Sequence, residues 1–305
     1  PRTDRSFQST DLGAPSFGWN LPNWLTRKVL TDTLTKAENV DLRLGVGFSR
    51  LVTREREAII TLTSGDQVRA QLAIAADGRG SPLRTAAGID CKTTRYGQKA
   101  LAFIVSHDVP HENVSTELYL SGGAFTTVPL PDHKGKHCSA IVWMNDGAEA
   151  IRLNALDDEA FAQAATERSC SVLGEMTLLS PRNVWPIVTQ EAERLTSQRV
   201  ALIAEAAHVL PPIGAQGLNT SLRDVAILSE LAANDSEWIG TEDFLAAYAK
   251  SRSRDIHLRA QFIDIYNRIC RSDLPAVQDL RSAGLKAVHD VAPLRRSIMT
   301  AGMGR

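Results

Sequence analysis

Residues 199–231 place chemistry-bearing types close together: R-V-A-L-I-A-E-A-A-H-V-L-P-P-I-G-A-Q-G-L-N-T-S-L-R-D-V-A-I-L-S-E-L. Val200 to Ala204 reads as a short buried strand that delivers the carboxylate of Glu205 at its C-terminal end, where open α/β sheets bind their ligands. A stiff loop follows, Pro211-Pro212-Ile213-Gly214-Ala215-Gln216-Gly217. Its prolines fix φ, and Gly214 and Gly217 let backbone approach a ligand closely. A helix is expected to begin near Leu218 or Asn219. Its first N–H groups have no intrahelical partner and favour an anion or an electron-rich carbonyl in front of them. His208, just after the carboxylate, reads as a packing or hydrogen-bonding histidine rather than a base, and no Ser/His/Asp arrangement accompanies it.

A carboxylate, a Pro/Gly loop and a helix N-terminus together suit a flavin. The carboxylate can accept hydrogen bonds from ribityl hydroxyls. The helix end can stabilise negative charge at N1 and the C2 carbonyl of the reduced ring. The flat loop can lie beside the ring system without a side-chain clash.

The elements that must position this cradle are partly legible. Ala58–Thr63 and Gln67–Ala76 read as a hairpin about the turn Ser64-Gly65-Asp66, and the return strand ends in the apolar run 72–76 of a doubly buried strand. The next segment, Ala75-Ala76-Asp77-Gly78-Arg79-Gly80-Ser81-Pro82-Leu83-Arg84, reads as a strand end, a glycine turn and a helix with Ser81 as N-cap and Pro82 at N1. It is not a dinucleotide fingerprint, because Leu83 stands where the third glycine would be; Gly45-Val46-Gly47 fails likewise at Arg50. Strand-like runs at 101–106, 116–120, 124–130 and 138–144 predict an antiparallel layer, and a helix is expected over 157–170 with Asp157 or Asp158 as N-cap. Near the start, Leu25, Val29, Leu30 and Leu34 mark a helix that carries Arg27. Helices dominate after Leu218, and Leu258, Phe262, Ile265 and Ile269 form an apolar stripe on the longest.

The 204–219 segment resembles the second FAD-binding motif of the para-hydroxybenzoate-hydroxylase-like flavoprotein monooxygenases, written GDAAH-x-x-P-P-x-G-x-x-G-x-N. It departs from that pattern at one pair, where Ala204-Glu205 replaces Gly-Asp. The 75–84 segment resembles the same family's internal Asp-Gly motif. Tyr96-Gly97-Gln98-Lys99-Ala100 and the tail from Leu280 to Gly304 are similar to the branch that hydroxylates ubiquinone precursors. The resemblance implies an α/β (α+β) fold with a discontinuous FAD-binding domain over 1–94 and 191–250, a β-sheet substrate domain over 95–190 and a helical region over 251–305. It implies cofactor contacts from Glu205, Pro212, Gly214, Gly217, Leu218 and Asn219, from Asp77, Gly78 and Arg84 near the pyrophosphate, and from Arg27 beside the flavin. It also implies that the FAD-binding domain is N-terminally incomplete, since residue 1 corresponds to a point inside the family sequence. The implied activity is reduction of FAD by NAD(P)H, uptake of O2 and transfer of one oxygen atom to an electron-rich ring, here a polyprenyl phenol. No catalytic base is named. Two alternatives stay open: another reaction of the same flavoprotein fold, and a non-catalytic protein that binds a lipid or a partner.

The totals agree with an ordinary globular chain. Its 305 residues carry 34 Lys and Arg against 35 Asp and Glu, so no basic excess points to nucleic acid. Four scattered cysteines without ligand spacing argue for reduced thiols and against a metal site. No apolar run is long enough to span a bilayer and the opening Pro1-Arg2-Thr3-Asp4-Arg5 is polar, which favours a cytoplasmic location. Arg281, Lys286, Arg295, Arg296 and Arg305 lie among apolar residues of the tail, a pattern that allows peripheral contact with an anionic inner membrane, although a helix packed on its own domain is the simpler reading.

Overall fold

A computed structural model describes residues 3–302 apart from Ser121, Asn234 and Asp273; the expected Arg305 and the terminal Met-Gly lie outside the described residues. After a 3-10 turn (Ser9–Leu12) come α1 (Asn23–Lys36) and a three-stranded antiparallel sheet of β1 (Phe48–Thr53), β2 (Ala58–Leu62) and β3 (Gln67–Ala70). The expected hairpin is present, but its return strand is broken at Gln71 and Leu72. The apolar run beyond forms β4 (Ala73–Ala75), which leaves the hairpin for another sheet. The break separates two environments: β3 alternates exposed and half-buried residues, whereas Ala73 and Ala75 are fully inside. A short α2 (Pro82–Ala86) follows, capped by the Ser81 side chain as expected.

The largest sheet is built from β5 (Cys91–His107), β6 (Thr116–Leu120), β7 (Gly123–His133) and β8 (Lys136–Asp146), with α3 (Gly147–Asn154) and α4 (Asp158–Arg168) after them, and is completed by β9 (Met176–Leu178) and β10 (Asn183–Ala192). The N-cap of α4 is Asp157, whose carboxylate accepts from the Ala160 amide. Alternation along β5 divides the sheet into two faces. Leu101, Phe103 and Val105 point to α3 and α4 and pack with Phe125, Trp143, Leu153 and Phe161. Tyr96 and Ala100 point the other way and pack with Ala124, Met144 and Ile187.

The small sheet that carries the site comprises β11 (Thr196–Ser197), β12 (Val200–Leu202) and β4. β12 runs parallel to β4, with Val200, Ala201 and Leu202 opposite Ala73, Ile74 and Ala75. The strand stops at Leu202, two residues short of the expected end, because Ala204–Ala207 turns into α5. β13 (His208–Val209) then joins the edge of the large sheet beside β10.

Helices α6 (Gln216–Ala232), α7 (Glu242–Arg271), α8 (Pro275–Asp290) and α9 (Ala292–Gly302) complete the chain. The apolar stripes of two expected helices face outward. On α7 the stripe of Leu258, Phe262 and Ile265 faces outward. The buried face is instead Phe244, Leu245, Tyr248, Ile256, Ala260 and Ile263, interrupted by Arg252 and Asn267. Leu25, Val29, Leu30 and Leu34 of α1 are also exposed, and α1 buries no residue. Periodicity identifies an apolar face but not which partner covers it.

Candidate functional site

The segment after β12 is shaped around one buried carboxylate. Ala204 takes a left-handed conformation, φ 53°, at the position where the family motif has glycine. Its amide donates to Oδ2 of Asp224 at 2.9 Å. His208 Nε2 donates to the same oxygen at 2.7 Å, and Arg252 Nε donates to Oδ1 at 2.8 Å. The Asp224 and Arg252 side chains are fully inside. Burial works against the Arg252 charge, but hydrogen bonds from its guanidinium to Asp224 and Asp255 outweigh it and raise its pKa. His208 is therefore the hydrogen-bonding histidine that its position suggests. This arrangement turns the chain sharply and leaves Glu205 exposed on α5.

The Pro/Gly loop is anchored from below and bare above. Pro211 and Ile213 are buried, and Ile213 packs over Ala100, Ala124, Met144 and Ile187 of the large sheet. Pro212, Gly214, Ala215, Gly217, Leu218 and Asn219 are all exposed. α6 starts at Gln216, two residues before the expected Leu218, so Gly217 belongs to its first turn. The residue ahead of it, Ala215, is left-handed at φ 52° and supplies no side-chain cap. Among the described residues, the N-cap position thus offers no side-chain oxygen to the first amides of this 17-residue helix. A Cβ built on Gly214 or Gly217 would meet no other atom within 4 Å. An uncapped helix end with open space over two glycines fits a planar, electron-rich group such as a flavin.

The Asp77 turn adjoins the Glu205 segment through the paired strands. Asp77 accepts from the Ser81 hydroxyl and, at 3.0 Å, from the Leu83 amide, so its carboxylate builds the start of α2. Gly78 is left-handed, φ 86°, with open space around it. Arg84 is buried, donating from Nη1 to the Ala206 carbonyl at 2.8 Å and from Nη2 to the Arg79 carbonyl at 3.1 Å. It therefore joins the two motifs. Arg27 is not gathered to them: it is exposed on α1 and has no hydrogen bond or ion pair with a described residue. The tail cations are partly spent inside the molecule. Arg281 donates to the carbonyls of Tyr119, Ile269 and Cys270, and Arg295 to Asp11 and the His289 carbonyl, leaving Lys286 and Arg296 exposed.

A family model described as an FAD binding domain matches residues 4–261. The chain belongs to that FAD-binding family. The FAD-binding chain is 32% identical over 291 residues to ubiquinone hydroxylase UbiL of Rhodospirillum rubrum, an alignment that takes in 94% of this chain and 67% of that protein. It is 24% identical to the 3-demethoxyubiquinol 3-hydroxylase of Escherichia coli over 98% of this chain and 76% of that protein. Among solved structures, p-nitrophenol 4-monooxygenase PnpA of Pseudomonas putida superposes with a TM-score of 0.74 at 18% identity, over 93% of this chain and 72% of that one. The fold is thus the para-hydroxybenzoate-hydroxylase-like one, with mixed α/β layers, antiparallel sheets and C-terminal helices. The chain spans about two thirds of the length of these relatives, from 64% to 76% for the first three.

Asp224 and Arg252 are the residues of this FAD-binding chain that sequence reasoning missed. Asp224 sits beside Arg223 in a helix, and Arg252 lies in the run Lys250-Ser251-Arg252-Ser253-Arg254-Asp255. Both read as ordinary solvated charges. The one signal was position: Asp224 and Thr220, both buried, sit one helical turn apart on α6.

Proposed function

We propose that this chain is an FAD-dependent monooxygenase that hydroxylates an aromatic ring, the substrate being a polyprenyl phenol of ubiquinone biosynthesis. One observation carries the reading: the bare face of the 212–219 segment abuts an uncovered apolar floor. Ile213 covers Ala100 and Met144 on one face of the large sheet. On the same face, further along the strands, Ala102 pairs with Val142 and Ile104 with Ala140, while Thr126 and Val128 pair with Val142 and Ala140. These residues are half-buried or exposed, and Trp185, opposite Ala100, is half exposed. An aromatic ring with a long apolar tail matches a floor of this composition. The names of the relatives in Rhodospirillum rubrum and Escherichia coli support the same substrate class.

In this reading residues 1–94 and 191–250 hold the cofactor, 95–190 the substrate, and 251–305 brace both. FAD, when bound and reduced by NAD(P)H, would supply the activation of O2, one atom of which goes to the ring while the other leaves as water. The protein supplies position and charge. The Glu205 carboxylate accepts hydrogen bonds from the ribityl hydroxyls. The α6 amides of Gly217, Leu218 and Asn219 stabilise negative charge on the ring side that faces them. Gly214 and Gly217 leave room for close approach, with Pro212 beside them. Asp77 and Gly78 shape the turn that receives the pyrophosphate. The sheet floor excludes water and orients the ring. Among the described residues no cluster suits a metal and no helix is long and apolar enough to cross a membrane. Contact with the surface of the inner membrane is part of the proposal and rests on Leu280, Leu294 and Ile298, exposed on α8 and α9, which also carry Lys286 and Arg296.

The test is incubation with FAD, NAD(P)H, O2 and a polyprenyl phenol, with products read by mass spectrometry. Gain of one oxygen atom on the ring is expected. An epoxide or a reduced product would move the chain to another reaction of the same fold. Absence of both flavin uptake and turnover would overturn the enzyme reading.

A further inference from the structure

We infer that Arg259 is a positioning residue for the flavin loop, holding the first turn of α6 through Gln216. The inference rests on the proposal that this loop receives FAD. An unbroken relay runs from one end of the 204–216 segment to the other. Ala204 N–H donates to Asp224, and Arg252 donates to Asp224 from Nε at 2.8 Å and to Asp255 Oδ2 from Nη1 at 2.7 Å. Arg259 Nε donates to Asp255 Oδ1 at 2.9 Å, and Arg259 Nη1 donates to Gln216 Oε1 at 2.8 Å. Gln216 Nε2 closes the path by donating to the Gly214 carbonyl at 3.0 Å and the Gly302 carbonyl at 3.1 Å. Two aspartates and two arginines alternate, so the relay carries no net charge. Burial works against ionised Asp255, but hydrogen bonds from Arg252 and Arg259 overcome it and lower its pKa.

The geometry gives Arg259 a role that packing alone does not require. Ala215 is left-handed and supplies no side-chain cap, so the start of α6 is held locally by the Asn219 side-chain amide on the Ala215 carbonyl and the Thr220 hydroxyl on the Gln216 carbonyl. The Gln216 amide donates to the Gly214 and Gly302 carbonyls, and the planar Arg259 fork fixes its oxygen from the other side while spanning to Asp255 with its Nε. A lysine cannot serve both partners with that geometry. Arg259 itself is about a fifth exposed, so its loss leaves no buried charge stranded.

The experiment uses the whole chain and the variants Arg259→Met, Arg259→Lys and Gln216→Met, with the double variant Arg259→Met/Gln216→Met. Amide hydrogen exchange at Thr220 and Ser221 reports the first turn of α6 without any cofactor, with Leu101 in β5 as the remote reference. FAD affinity is read separately by quenching of flavin fluorescence. Arg259→Met is expected to speed exchange at Thr220 and Ser221 and to weaken FAD binding, each about tenfold, the effect of one charge-assisted hydrogen bond. Arg259→Lys should recover only part of this, the double variant should be no worse than Arg259→Met, and Leu101 should not change. Unaltered exchange in Arg259→Met overturns the inference. Faster exchange with undiminished FAD affinity overturns its flavin part. If the parent chain takes up no FAD, the proposed function falls, and the exchange data alone still decide whether Arg259 holds the turn.

Discussion

Ala204 is the residue at which this chain departs most sharply from its family motif, and it takes the left-handed conformation that glycine adopts freely. A Cβ in that region costs about 1–2 kcal/mol. Ala204→Gly is therefore expected to stabilise the chain by about 0.5–1 kcal/mol in urea unfolding, the gain being trimmed by the entropy of an added glycine. A loss of stability would mean that the methyl group packs favourably where the backbone argument says it strains. Asp224 makes the opposite case. Removing its charge with Asp224→Asn leaves Arg252 buried with only Asp255 to balance it and should cost about 3 kcal/mol in the same measurement. The carboxylate at 205 and the glycines at 214 and 217 were legible from residue type and order. Asp224 and Arg252 were not, because a buried ion pair and a solvated helix charge look alike in sequence; only burial separates them.

At the scale of elements, hydrogen-bonded caps and strands with clear turns were legible: Asp157 and Ser81 cap the helices expected of them, and β6 matches its expected bounds. Misreadings fall where tertiary pairing decides. The run 67–76 reads as one strand, yet its second half pairs with β12, more than 120 residues away, because Ala73 and Ala75 can be buried there; the expected burial on both faces fails, since Ile74 on the opposite face is about half exposed. The outward stripe of α7 has the same origin, since the inner face of that helix accepts polar Arg252 and Asn267 in exchange for specific partners. One element also has a pH response built into it. At the far end of β5, His107 is buried, bonded to the Val109 carbonyl and the Ser139 hydroxyl, with the rings of His111 and His137 about it. Burial, followed by those two neighbours, lowers its pKa. The unfolded chain then binds the proton more readily, so stability is intact above the ordinary histidine value of about 6.5 and is lost as pH falls below it. Thermal midpoints taken from pH 7.5 downward should decline through that window, and His107→Gln should flatten the slope. An equal slope in the variant would assign the effect elsewhere.

In the molecule as a whole, two sheets meet at the candidate site. The small parallel pair β4–β12 sets Asp77 and Glu205 at the ends of adjacent strands, and the large sheet brings its apolar face up to the loop beyond them. Arg84 and the Asp224 relay lock the first arrangement, and Ile213 locks the second. Family membership and fold were readable from the ordered motif alone, since every motif position but one pair is matched. The sheet floor was not, because Ala102 of β5, Ala140 and Val142 of β8 and Val128 of β7 become a surface only when three strands fall into register.

The central claim, that the face of Gly217 receives the flavin, is tested most directly by titrating FAD into the parent chain and into Gly217→Ala. Gly217 lies in the first turn of a helix, and an added Cβ meets nothing within 4 Å. Alanine is therefore expected to stabilise the fold by about 0.5–1 kcal/mol. It also fills the space above the backbone, so FAD affinity should fall about tenfold or more while stability rises. A Gly217→Ala variant that binds FAD as tightly as the parent would contradict the account.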